Sequence, residues 1–388
     1  MPETSTLTFD ELDRLAAADE SGQKSLGYQH TIREILQQPD TWAATCNIAA
    51  AHQSDFQWAV EGIQSIVLTG SGSSQFVGEC VRLGLQDKFG VAVQVTGGGE
   101  LVTHGRRELP GGRPALMISF ARSGDSPEST SVVARMLETR TEVRHLVITC
   151  NRLGKLASEY RSNPRVRVVV LDDRTNDRSL VMTSSFTNMV LAAQALIYPH
   201  QPQQYERDCE NLTRLCRGLL RSSGNEIARV ARLPFRRAMF LGSGSRLGAA
   251  RESALKMLEM SAGRVATMCE TYLGLRHGPM SYIDAETLVV CFLSSDPVLR
   301  AYEGDLIDEL NHKRLGLAKL FFGDRIPAQL VNPGDGAIEC TGLGSAGDEQ
   351  APVLDAVAGQ LLACERRQCW SNRIRLRGAS ARPARSSR

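Results

Sequence analysis

A chain of 388 residues exceeds the size at which a single hydrophobic core usually stops growing, so two domains are expected, and 42% apolar residues suffice for both cores. With 45 basic against 43 acidic side chains, no overall field would gather nucleic acid or an anionic membrane, which leaves a small molecule as the expected partner. The ten cysteines form no C-x-x-C pair and no zinc-type cluster; they read as buried thiols of a reducing compartment, and neither a metal nor a cofactor is expected.

The polar, acidic N-terminus lacks the basic-then-apolar order of a secretory leader, and no apolar run approaches membrane-spanning length, so a cytoplasmic protein is expected. Thr31 to Gln37 begins a helix of an N-terminal helical segment, residues 1–45. Short runs rich in Val, Ile and Leu then predict strands near 65–69, 115–120, 144–149 and 166–171, with helices over 74–88, 127–139 and 182–197 between or after them. A linker helix follows over 201–225, then strands near 237–241 and 287–293 with a helix over 247–262 between them.

Two of these strand-to-loop segments recur at a shift of 172 residues. Ile66-Val67-Leu68-Thr69-Gly70-Ser71-Gly72-Ser73-Ser74 returns as Ala238-Met239-Phe240-Leu241-Gly242-Ser243-Gly244-Ser245-Arg246, and Leu116 to Phe120 returns as Leu288 to Phe292. A shared offset argues for duplication. The expected architecture is two tandem three-layer α/β/α sandwiches with mostly parallel, doubly wound (flavodoxin-like) sheets, residues 46–200 and 226–363.

In such sheets ligands lie beyond the carboxyl ends of the strands. Gly70 to Ser74 leaves a strand and opens a helix, so its amides, the helix dipole and the hydroxyls of Ser71, Ser73 and Ser74 suit an anion. Arg122-Ser123-Gly124-Asp125-Ser126 repeats the design, with Ser126 also readable as a helix cap before Pro127. The second copy has Arg246 in place of Ser74 and Ser295-Asp296-Pro297 in place of Ser123-Gly124-Asp125; an aspartate facing the pocket would repel phosphate, so that copy is expected to have lost its site.

Glu252, Lys256 and Glu259 are spaced by four and three on one helix face, where an acid–base group and an ordinary ion-pair ladder are both open readings. His277, before Gly278-Pro279, is the histidine placed best for proton transfer, because a rigid turn can aim its ring.

Taken together with Met182-Thr183-Ser184-Ser185, Arg251 to Lys256 with Glu259, and Arg276-His277-Gly278-Pro279, these segments resemble the SIS (sugar isomerase) domain family, and within it the AgaS-type tagatose-6-phosphate ketose/aldose isomerases and galactosamine-6-phosphate deaminases. The resemblance runs from about Arg33 to Ala363. It implies two SIS domains, a homodimer or tetramer with interfacial sites, a sugar-phosphate substrate and no metal. By similarity to the isomerase half of glucosamine-6-phosphate synthase, Ser73, Ser74, Ser123 and Ser126 would hold the phosphate with Arg122 in the same loop. Glu259 would move the proton between C1 and C2, with Glu252 as the alternative base, His277 would assist ring opening, and Ser184 would sit near the sugar. A sugar-phosphate-binding regulator built from the same domains is the alternative. After Ala363 the sequence departs from the family: residues 364–388 are an arginine-rich tail with no acid beyond Glu365, compositionally disordered, and a shifted reading frame accounts for it more simply than a new function.

Overall fold

The computed structural model describes residues 11–105 and 113–380, with side chains described through residue 369. Two five-stranded sheets organise the chain. The first holds β1 (Ser65–Gly70), β2 (Ala92–Gly97), β3 (Ala115–Ala121), β4 (Val143–Thr149) and β5 (Val166–Val170) in the order β2-β1-β3-β4-β5, every pair parallel. The second holds β6 (Arg237–Leu241), β7 (Ala266–Glu270), β8 (Thr287–Phe292), β9 (Ala318–Gly323) and β10 (Gly336–Glu339) in the order β10-β9-β8-β6-β7, again all parallel. Counted from the start of each copy, the two orders are the same. The duplicated segments are β1 with β6 and β3 with β8, the pairs that flank each topological switch point.

Local geometry repeats as well. Gly72 and Gly244 both have positive φ, 56° and 57°, and a side chain on Gly70 or Gly242 would collide with the backbone of Ser74 or Arg246, at 2.5 and 2.7 Å. The strands that sequence patterning misses have identifiable causes. β2 and β7 are half-exposed edges, β10 is four residues long, and the apolar run of β9 is interrupted by Lys319, which is buried and pairs with Asp335.

The inner faces of both sheets share one continuous core, while each outer face has its own cluster. At the centre, the helices Ser73–Phe89 and Arg246–Met260 cross, touching where a side chain on Gly248 would lie 2.7 Å from the Cys80 amide. They run antiparallel: Lys256, late in the second helix, reaches Ser73 at the start of the first, and Leu83, late in the first, packs near Gly244. The Gln38–Ala51 helix runs across residue 45 and ties the copies together, through Trp42 Nε1 to Thr187 Oγ1 (3.0 Å) and Gln38 Nε2 to Gln360 Oε1 (2.9 Å).

Two expectations are corrected. Cys46 and Cys209 are joined in a disulfide between the Gln38–Ala51 and Pro202–Ser222 helices, so not all ten cysteines are free thiols. The tail does not lose structure at residue 364: the last helix is Pro352–Ser380, and Arg366 is buried, donating to the carbonyls of Ala231 (2.8 Å), Leu233 (2.6 Å) and Phe235 while lying over the Phe235 ring. Three backbone carbonyls and an aromatic face offset the burial of a guanidinium that composition alone assigns to solvent. Arg382, Arg385 and Arg388 lie outside the described residues.

Candidate functional site

Beyond β1 and β3 the first copy presents two loops. Ser73 and Ser74 are buried at the first turn of the Ser73–Phe89 helix, whose leading amides point out of the sheet, and Ser71 is exposed beside them. In the second loop the Ser123 carbonyl accepts from Asn151 Nδ2 (2.9 Å), Gly124 takes φ 68°, and the Asp125 carboxylate turns away from the pocket to the Lys155 amide (2.9 Å). The Ser73 hydroxyl interacts with the buried Glu252 carboxylate, whereas Ser71 and Ser123 lie at the open side of the cradle. The Thr69 and Ser119 hydroxyls, neighbours in the β1–β3 register, are buried beneath the loops without partners.

Three expected ligands are engaged elsewhere. Ser126 caps the Pro127–Thr139 helix, accepting from the Ser129 amide (3.3 Å) and donating to the Ser129 hydroxyl (2.8 Å). Arg122 donates to the carbonyls of Ser179 and Leu180, both at 3.2 Å. Ser184 is fully buried, donating to the Glu34 carbonyl (2.6 Å) and accepting from Gln37 Nε2 (2.9 Å); it ties the N-terminal helices to the first copy and has no open face toward a sugar.

The charged helix face meets this cradle from the second copy. Lys256 Nζ donates to Ser73 Oγ (3.1 Å) and to Glu259 Oε2 (2.5 Å), and stands 3.3 Å from Glu252 Oε1. Lys256 and Glu252 have fully buried side chains, whereas that of Glu259 is 30% exposed. Burial pushes the Glu252 carboxyl up, against the pull of Lys256. A buried lysine with two carboxylates and a hydroxyl is not a surface ion-pair ladder. The open carboxylate is Glu259, which together with Met260, Tyr28, Arg178, Val181 and Arg367 lines a cavity of 440 Å³.

His277 is exposed and lies beyond the carboxyl end of β7. Glu259 lies at the far end of its helix, about 20 Å of helical rise from Arg246 at the carboxyl end of β6. One chain therefore does not bring His277 to Glu259. Arg276 pairs with Glu309 (2.8 Å).

The second copy differs from expectation in its details. Asp296 does not face a pocket: it caps the Pro297–His312 helix, accepting from the Val298 (2.8 Å) and Leu299 (2.9 Å) amides, so its structural counterpart is Ser126 and the loop is two residues shorter than its match. Arg246, in place of Ser74, is fully buried and forks onto Asp355 (2.8 and 2.6 Å).

Sequence reasoning also missed the acids that hold the loop over the first cradle. Glu34 accepts from the Arg178 (2.6 Å) and Ser179 (3.1 Å) amides, and Asp177, pushed up to about 6 by burial, accepts from the Thr183 (2.7 Å) and Ser185 (2.9 Å) amides. The loop carries Met182, whose sulfur is 3.9 Å from Ser74 Oγ. The quoted Met182 to Ser185 motif marked the place, but nothing in the spacing of Glu34 and Asp177 pairs them with it. Among the described residues no group of three or more His, Cys, Asp or Glu is placed to hold a metal ion, and no helix is long and apolar enough to cross a membrane.

No protein-family model matches the chain. It is 38% identical over 288 residues to the D-galactosamine-6-phosphate deaminase AgaS of Escherichia coli O157:H7, covering 72% of this chain and 74% of that one. It is 34% identical over 303 residues to the protein of the same name from Shewanella sp. (strain ANA-3), covering 76% and 77%. Among solved structures it superposes on tagatose-6-phosphate ketose/aldose isomerase from Escherichia coli with a TM-score of 0.80 and 31% identity, over 88% of this chain and 93% of that one.

Proposed function

The chain belongs to the AgaS family of sugar-phosphate deaminases, and from that premise we propose that it converts D-galactosamine 6-phosphate and water into tagatose 6-phosphate and ammonia. The observation that carries the reading is the Lys256 bridge, which places the carboxylate of Glu259 one side chain away from Ser73 of the phosphate cradle. A phosphate held by Ser73, Ser74 and Ser123 anchors one end of the open-chain sugar and brings the other end to Glu259. Glu259 takes the proton from C2 and a proton returns to C1, so the C2 amine becomes a ketimine. Water adds to that carbon and ammonia leaves, a hydrolytic step. Lys256, donating to Glu259, holds the carboxylate in place and stabilises its charge.

His277 comes from a second copy of the chain in this account. Supporting it are exposed apolar side chains on both faces: Leu153 (83% exposed) and Leu180 (86%) around the cradle, and Leu273 (44%), Val298 (62%) and Tyr302 (51%) around the His277 loop. A homo-oligomer with sites shared between subunits follows from this reading. The test is incubation of the purified protein with D-galactosamine 6-phosphate: ammonia and ketose should appear in equal amounts, whereas tight binding without turnover would replace the enzyme with a sugar-phosphate sensor.

A further inference from the structure

The second copy has not simply lost its loops; each of their hydroxyls is taken by a carboxylate of the same chain. Ser243 Oγ donates to Glu303 (2.6 Å) and Ser245 Oγ to Glu349 (2.5 Å). Most complete is Asp348, in the segment after the short Leu343–Ala346 helix, where Gly347 (φ 82°) turns the chain inward. Its Oδ1 accepts from the Ser295 amide and the Ser295 hydroxyl, both at 2.9 Å, its Oδ2 accepts from the Ser294 hydroxyl, and Arg246 Nη1 stands 3.7 Å away. Two hydroxyls, an amide and a fully buried guanidinium around one anion form the kind of donor set that recognises a tetrahedral oxyanion. These groups lie beyond β8 and β6, at the topological position of the first copy's cradle.

We propose that the second repeat retains a working oxyanion cradle and that the chain keeps it filled with its own Asp348 carboxylate, standing where a phosphate would bind. The inference rests on the reading of the first cradle as a phosphate site only for the choice of anion. Burial alone would raise the Asp348 carboxyl, yet Ser294, the Ser295 amide and Arg246 more than offset it and hold the group below the usual carboxylate range, so the internal anion stays charged. An internal ligand has no translational freedom to lose, so it excludes dilute external anions and secures the Leu343–Ala346 segment to the sheet.

The experiment is titration of the full-length protein with inorganic phosphate, followed by calorimetry and thermal melting, for wild type, Asp348→Ala and Asp348→Asn. Wild type should bind one phosphate per chain. Asp348→Ala should melt about 5 °C lower in chloride buffer, recover most of that loss in phosphate, and bind two phosphates per chain. Asp348→Asn fills the space without the charge and should melt lower while binding only one. An Asp348→Ala protein that still binds a single phosphate, or melts like wild type, overturns the proposal. If Asp348→Ala does not fold, Asp348→Asn decides: melting within about 1 °C of wild type would show that no anion is needed there. Should wild type bind none and Asp348→Ala bind one, the first cradle has been misread while this one stands.

Discussion

At matched positions the two repeats have taken opposite parts of one site. The first keeps Ser73 and Ser74 where the second has Ser245 and Arg246, and Arg246 forks onto Asp355 within the chain. On the paired helices the exchange runs the other way: at the shift of 172, Glu252, Lys256 and Glu259 stand where the first repeat has Cys80, Gly84 and Asp87. Because the two helices cross antiparallel, the acid–base end of one lies over the open cradle of the other, and the opposite pairing is closed by Glu349 against Ser245. A duplicated fold offers two symmetric sites; substitutions at a few matched positions leave one open to substrate.

That division of labour can be broken from either side. Glu259→Gln should have the largest effect, lowering kcat for ammonia release about 10³-fold while leaving KM within about threefold, because it removes the base and not the anchor. Next, Arg246→Ala should cost about 3–5 kcal/mol in chemical denaturation by leaving Asp355 buried and unpaired, whereas Ser74→Ala at the matched position should cost less than about 1 kcal/mol of stability. In the opposite sense, Ser74→Ala and Ser123→Ala should each raise KM about tenfold through a lost charge-assisted hydrogen bond, and Ser295→Ala should leave KM unchanged.

The smallest effect is on pH. Burial pushes Glu303, beneath the second copy's loops, up from 4.5 to about 7. The folded state therefore holds a proton that the unfolded state has released, and stability should fall as pH rises from about 4.5 to about 7. The change is on the order of 1 kcal/mol once relaxation around the carboxyl is allowed for, and Glu303→Gln should flatten that slope in melts taken across the window.

Much of this comparison was legible in the sequence because duplication imposes the same register on Gly70 and Gly242, and on Leu116 and Leu288, which fixed the switch-point strands of both sheets. The helix ladder Glu252, Lys256, Glu259 was equally visible from its spacing. What resisted were contacts between segments far apart in the chain. Ser126 and Asp296 carry the same signal as helix cap or as ligand, and only their bonds to the Ser129 amide and to the Val298 and Leu299 amides show that both are caps. Arg366 reads as part of a solvated basic tail until the three carbonyls that receive it are placed, and no local pattern pairs Asp348 with Ser295.

The most direct test follows D-galactosamine 6-phosphate by NMR in deuterated water. With wild type, ammonia should be released and solvent deuterium should enter at C1 of the ketose; with Glu259→Gln the phosphosugar should still bind, without exchange and without ammonia. Exchange that survives in Glu259→Gln, or deamination by wild type with no deuterium at C1, would contradict the account.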